Sequence, residues 1–466
     1  MANPPPDRSR QQNPALPEPQ HAIDQARQYG LRDGAFQAVT QGAGEQYLSA
    51  FALLLQANAF HLSILSALPQ LIGTVAQLAS VKVLRWFPDR KTLIQMGTIG
   101  QGLAWMPIIL LPLLLPQWGP WLIIAGSALY FACAHFTSPT WNSFIADQLD
   151  QHERGSYFAR RAHIMASLSF LSLGVAGGLL SLWQHDSSAW IGFAFVFAVA
   201  GLARLLSATA LHRVCDLHHR PHHDGHASFR QFLAGTNRSF RSFLWFSGLL
   251  HFATLIAGPF FVIYMLRDLQ LSYFEYGTWL AASILGQLMT LKAWGKFSDR
   301  FGNKALLSVT GLSVPFLPML YLAGTHLAFL VCVNFLGGVV WAGLSLGLQN
   351  FIFDAVKQED RPKAFAVTST VNAIGWSFGA LVGSWLIERL PGELRLAQLA
   401  LPLASNLPLV FFVSGILRLA VSTSFLRGIH ETRSVERVPP LKLLGEVPLV
   451  KTMAQFLAGP LSRLSK

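Results

Sequence analysis

Charged side chains are scarce in this chain: they make up 12% of its 466 residues, roughly half the share of an ordinary soluble domain. Cysteine is scarcer still, with Cys133, Cys215 and Cys332 far apart. Two lie in apolar runs and one in a polar loop, which leaves no disulfide framework and no Cys-rich metal motif. The stretch from Met1 to Ala26 is polar and Pro-rich and lacks a basic-then-apolar leader, so insertion is expected to depend on the first spanning helix. No Gly-rich phosphate loop of the ATPase kind appears, which argues against ATP-driven work by this chain. No catalytic constellation stands out either. Neither an enzyme nor a bound cofactor is expected.

What the chain has in excess is apolar surface, at 52% hydrophobic residues. The apolar runs recur along nearly its whole length. A backbone inside a bilayer must satisfy its own hydrogen bonds, which leaves helices or a closed barrel. Runs of about 20 residues fit helices, whereas barrel strands are about half as long and alternate in polarity. Spans are expected near 34–57, 61–84, 93–115, 119–143, 160–183 and 188–211, then near 241–265, 275–294, 303–324, 327–350, 364–388 and 398–422. The expected fold is all-α, with twelve transmembrane helices.

Basic residues orient these spans. One set of loops holds Lys82, Arg85, Arg90, Lys91, Arg154, Arg160, Arg161, Arg213, Lys292, Lys296, Arg300, Lys304 and others, whereas the opposite loops hold only Arg267, Arg389 and Arg395. The positive-inside rule places the rich side and both tails in the cytoplasm, in an inner-membrane protein. The formal net charge of +12 then meets anionic headgroups and needs no nucleic acid.

The chain also repeats itself. FIADQLDQHERGSYF, from Phe144 to Phe158, matches FIFDAVKQEDRPKAF, from Phe351 to Phe365, at an offset of 207. Gly201 and Arg204 match Gly415 and Arg418 at an offset of 214, and the loops closing on Lys91 and Lys304 match at 213. Landmarks in the same order indicate two parallel six-helix units. The expected organisation is a disordered tail over 1–28, bundles over 29–212 and 241–424, a His-rich linker over 213–240, and a C-terminal tail over 425–466. The linker carries His218, His219, His222, His223 and His226, but its spacing fits no closed zinc motif, so no metal site is assigned.

The loop after span 8 reads Gly295-Lys-Phe-Ser-Asp299-Arg300-Phe-Gly302-Asn-Lys304. It resembles the signature loop of the major facilitator superfamily, Gly-x-x-x-Asp-Arg-x-Gly-x-Lys. The resemblance implies alternating access by two six-helix bundles, with Asp299 and Arg300 latching helix ends in the outward-open state. In the first-half copy Trp86 stands where the aligned acid would be. The chain also resembles a bacterial branch of unassigned substrate that pairs a Glu in span 1 with a Gly-Pro-Phe-Phe segment in span 7, here Gly258 to Phe261. Span 4 lacks the arginine, and span 5 the Gly-Pro pair, that mark the family's drug exporters.

Polar residues at helical spacing mark faces turned to protein or water. Gln37, Gln41, Glu45 and Ser49 form such a stripe on span 1, with Glu45 near the bilayer midplane. Ionisation there costs at least a few kcal/mol unless the charge is paired or hydrated, which suits a group that carries a proton. A neutral Glu bonded between helices is the plain alternative. His251 and Thr254 on span 7, Gln70, Tyr130, Gln287, Asn334, Trp341 and Gln349 complete the expected cavity lining. His251 is a second candidate for proton coupling, against an ordinary packing role. Arg204 and Arg418 are expected to snorkel or pair, and Gly375, Gly379 and Gly383 to form a packing stripe. The combined expectation is a secondary transporter of a small solute, proton-coupled and acting as a monomer. The alternatives are a transporter-like sensor or assembly factor, and an exporter of drugs or metabolites.

Overall fold

Short polar side chains write several helix starts. In the computed structural model, Asp89 accepts from the Thr92 amide at 2.5 Å, and Asn237 accepts from the Phe240 amide at 2.8 Å. Ser272 and Glu275 form a reciprocal capping box. These caps begin spans 3, 7 and 8. The structure describes residues 19–83, 86–87, 89–149, 151–184, 188–214, 235–357, 360–390, 393–396, 399–402, 405–431, 433 and 435–436. The His-rich tract and most of both expected tails lie outside the described residues.

Span 1 covers 19–54 and is interrupted: an α-helix over Pro19–Val39, a π-turn over Thr40–Gly44, a 3-10 turn over Glu45–Tyr47, then Leu48–Leu54. Spans 2 to 6 are Ala59–Val83, Arg90–Leu114, Gly119–Asp147, Gln151–Leu182 and Ala189–His212. Span 7, Arg238–Asp268, is interrupted after Leu255 by a 3-10 turn over Gly258–Phe260 and ends in a second π-turn, Tyr264–Asp268. Spans 8 to 12 are Tyr273–Phe301, Asn303–Leu322, Leu327–Ala355, Arg361–Arg389 and Leu407–Phe425. Each of the twelve expected segments contains a helix. Ten of the described helices are long and apolar enough to cross a membrane. Span 1 misses that mark because it is broken and polar, and span 8 carries Glu275, Lys292 and Lys296.

Three boundaries need correction. The helix of span 1 begins at Pro19, ahead of the span expected near 34–57 and inside the tail expected over 1–28, and Ala26 is buried in a cluster with Ile94, Phe144, Ile145 and Leu211. Span 12 begins at Leu407 rather than 398, because Leu399–Pro402 pairs antiparallel with Glu393–Leu396 in a small hairpin. The chain beyond span 12 does not leave the bundle at 425: a 3-10 turn over Leu426–Gly428 comes next, and Glu431 and Glu436 dock on the loop after span 8.

Spans 1 to 6 pack mainly with one another, as do spans 7 to 12. The two sets meet through span 2 against span 11 and span 5 against span 8. Gly375, Gly379 and Gly383 let span 11 lie on span 7, where a Cβ would strike the carbonyls of Gly248, Phe252 and Ile256. The largest core holds Phe51, Phe193, Phe197, Phe260, Tyr264 and Tyr276, from both halves. Val75, Met106, Val175, Leu202, Met289 and Phe378 are exposed on the outer faces of their helices. So many large apolar side chains on the outside of one chain mark a surface solvated by lipid.

Candidate functional site

Span 1 yields at its glycines. Gly42 lies against the Ser169 backbone and Gly44 against Trp105, so a Cβ at either would collide. The backbone there loosens into the π-turn and then tightens into the 3-10 turn that carries Glu45. Such mid-helix irregularities free backbone groups and re-aim side chains. Glu45 is half-buried and accepts a hydrogen bond from the Tyr130 hydroxyl at 2.5 Å. Tyr130 is fully buried and packs on Trp105, with ring centroids 5.3 Å apart.

A buried ion cluster lies further along span 1, towards the end with the basic loops. Asp33 is 1% exposed; it is 2.9 Å from Arg161 and 3.5 Å from Arg204, and accepts from the Ser207 hydroxyl at 2.6 Å. Arg204 also donates to Gln101 Oε1 at 2.8 and 2.6 Å, and Arg161 donates to Gln37 at 3.2 Å. Arg161 lies 4.1 Å over the Trp141 ring. Hydropathy places Arg161 among the loop cations and leaves Asp33 unassigned. Their separation of 128 residues hides the pair from local pattern. The only sequence signal is an acid inside a helical run, which by itself asks for a partner.

In the second half a cavity of about 130 Å³ is lined by residues that include Thr254, Phe261, Trp279, Tyr321, Asn334, Trp341 and Arg418. Of the residues expected to share one cavity, Thr254, Asn334 and Trp341 meet here. His251 stands beside it, donating through Nδ1 to the Ser247 carbonyl at 2.7 Å, with Trp376 stacked at 6.2 Å and Trp341 at 6.5 Å. Glu45, Gln37, Gln41, Ser49, Gln70 and Tyr130 do not line it. They belong to the first half, where Gln37 serves the ion cluster and Tyr130 is sealed in the core. Gln287 and Gln349 are exposed on their helices and line no part of it. Of the residues expected to line one cavity, Glu45 and Tyr130 meet in the first half, Gln37 joins the ion cluster there, and Thr254, Asn334 and Trp341 line the second-half cavity.

Arg418 also departs from expectation. It neither snorkels nor pairs with an acid among the described residues, and it is 4% exposed.

The seam between halves is closed at the end away from the basic loops. The Tyr273 amide donates to Gln184 Oε1 at 2.8 Å, and Gln184 Nε2 donates to the Leu271 carbonyl at 3.3 Å. Phe193 packs edge-on against Tyr273 at 5.1 Å, and Tyr47 against Tyr276 at 6.2 Å. Further in, the Ser377 hydroxyl reaches the Ala67 carbonyl at 3.2 Å. At the basic end, Arg90 lies 2.7 Å from Asp147, Arg433 2.9 Å from Asp354 and Arg300 2.7 Å from Glu436, each pair within one half.

The signature loop occupies that basic end. Gly302 takes φ +87, a conformation that favours glycine, and turns the chain from span 8 into span 9. The Lys304 amide donates to Glu431 at 2.9 Å and Asn303 donates to Asp354 at 2.6 Å. Gly295 has open space around it, and Asp299 is exposed with no ion pair among the described residues. Sequence pattern misses Glu431, Arg433 and Glu436, since nothing in a polar tail says which residues will dock. The Arg300 guanidinium, hydrogen-bonded to Glu436, holds that carboxyl below the usual glutamate range.

Comparison with known proteins agrees with the loop. The Major Facilitator Superfamily is matched over residues 243–462, which take in spans 7 to 12 and most of the C-terminal tail. Multidrug resistance protein 1 of Bacillus subtilis is 29% identical over 130 residues, 27% of this chain and 33% of that protein. A probable peptide/nitrate transporter of Arabidopsis thaliana is 27% identical over 154 residues, 32% of this chain and 31% of that protein. The chain thus spans about a third of the curated relatives it matches. Among solved structures, the D-xylose-proton symporter aligns with TM-score 0.65 and 12% identity over 90% of this chain and 100% of that one. The nucleoside transporter NupG gives 0.65 and 12% over 87% and 98%. A bacterial homologue of the iron transporter ferroportin in an inward-facing state gives 0.64 and 12% over 86% and 98%. At such identities the likeness is one of fold.

Proposed function

We propose that this chain, a major facilitator superfamily protein by loop motif, family match and fold, is a secondary transporter that couples a small solute to protons. It works by alternating access in the cytoplasmic membrane, with both termini on the cytoplasmic side. The relatives whose names call them transporters support movement of a solute, and the basic loops support the orientation. The two halves touch through hydrogen bonds at the far end, and the ion pairs described at the basic end lie within one half or the other. That distribution fits a conformation closed to the outside, with the cytoplasmic latch of Asp299 and Arg300 released.

The observation that carries proton coupling is Glu45, a half-buried carboxyl at the break in span 1, held by one neutral hydroxyl. A carboxyl at that depth with a phenol as its hydrogen-bond partner can hold or release a proton without losing its place. Its backbone, a 3-10 turn between a π-turn and an α-helix, is the segment that a rocking motion would bend.

Glu45→Gln tests the reading. An amide still accepts from Tyr130 but cannot titrate. One pH unit is worth about 1.4 kcal/mol, or tenfold accumulation for one proton per solute. Proteoliposomes carrying wild-type protein should approach that ratio for a solute that stabilises the purified protein. The Gln variant should equilibrate the same solute without concentrating it. Concentrative uptake by the variant would show that Glu45 is structural.

A further inference from the structure

The two halves treat the same repeated arginine in opposite ways. Arg204 in the first half has Asp33, Gln101 and Ser207 around its guanidinium. Arg418, its counterpart 214 residues on, has only the carbonyls of Val314 and Thr254 among the described residues, each at 3.4 Å. Those are long contacts for an N–H donor, and Nε has no partner among the described residues. An unpaired buried cation is among the costliest arrangements a protein can keep. Yet Arg418 lines a cavity, so a counter-ion can reach it.

The cavity states what that counter-ion should be. Its 130 Å³ equals about four waters at ~30 Å³ each, well below the roughly 300–1,000 Å³ of a drug-sized pocket. Arg418 is the one cation among its lining residues, which favours a single negative charge over a dianion such as phosphate. A guanidinium fork matches a carboxylate in shape and charge. Phe261, Trp279, Tyr321 and Trp341 supply aromatic faces for a flat apolar body. Tyr321 accepts from Trp279 Nε1 at 3.0 Å, which leaves its own O–H to donate.

We propose that this cavity binds a small monocarboxylate, with the carboxylate on Arg418 and the apolar body among the aromatic side chains. The site deepens the transport reading by naming its solute class, and rests on that reading only for movement of the bound anion.

The test uses the full chain, purified in detergent, and tracks thermal unfolding with benzoate, benzamide or chloride. Benzoate should raise the unfolding temperature in a saturable way, while isosteric but neutral benzamide should not. Arg418→Gln should abolish the benzoate shift, and its own unfolding temperature without ligand should not fall, because an uncompensated charge has been removed. Trp341→Ala keeps the guanidinium and should weaken benzoate binding about tenfold, for the loss of one aromatic wall. It serves as the readout if the glutamine variant does not fold. Equal stabilisation by benzamide, stabilisation by chloride as strong as by benzoate, or a benzoate shift unchanged in the variants would each overturn the site. Labelled benzoate in proteoliposomes separates the two claims. Arg418-dependent binding without flux would sink the transport reading and leave the site standing, whereas flux indifferent to Arg418 would do the reverse.

Discussion

Asp33→Asn removes the single negative charge from a cluster that holds two guanidiniums. Asp33 is 1% exposed, and the Arg161 and Arg204 side chains are 12% and 6% exposed, so water screens the cluster poorly. Breaking a buried pair from one side leaves a charge without its partner and typically costs about 3–5 kcal/mol. Here the asparagine can still accept from Arg161 or from Ser207, and Arg204 keeps Gln101. Those contacts satisfy donors, but they do not neutralise charge. The expected loss therefore stays within that range. Chemical unfolding in detergent gives the number, and a double-mutant cycle with Arg161→Gln isolates the pair. Removing both partners should cost clearly less than the sum of the single losses. A loss under about 1 kcal/mol, the range of solvent-exposed pairs, would refute the reasoning and mean that water reaches the cluster.

Gly379→Leu should destabilise by about 1–3 kcal/mol or more, because span 11 has no room for a side chain against the Phe252 carbonyl; unfolding measurements check this. Asp299→Asn should leave stability within about 0.5 kcal/mol, since the carboxylate is exposed and unpaired among the described residues, yet it should slow transport if the latch operates in the opposite state. Arg300 lowers the Glu436 carboxyl, so the docked tail gains stability that is present above the unfolded glutamate value of about 4.3 and lost as pH falls through the lower folded value. Labelling of a cysteine placed at Val435 should rise across that acidic window, and Arg300→Gln should make labelling insensitive to pH.

How much is legible in the sequence depends on how local the cause is. Spans, their number and the basic-loop asymmetry come from sums over neighbouring residues, so hydropathy finds them to within several residues of most of their ends. The repeat is legible because Phe144–Phe158 and Phe351–Phe365 still share side chains. The glycine stripe of span 11 reads as packing and serves as packing. Glu45 stands out because an acid amid apolar neighbours is conspicuous wherever it ends up.

Its partner does not stand out. Tyr130 is one of several aromatic residues in span 4, and only the crossing of spans 1 and 4 makes it the donor. Arg204 and Arg418 look alike in sequence, each a few residues after a glycine in the last helix of its repeat. Tertiary packing gives the first an acid from span 1 and a glutamine from span 3, and opens the second onto a cavity. Hydrophobicity is a property each residue carries with it, so the sequence by itself determined which segments enter the membrane. Charge compensation depends on which distant side chains come within about 3 Å, and only the tertiary structure decided which buried ion is satisfied and which still needs a partner.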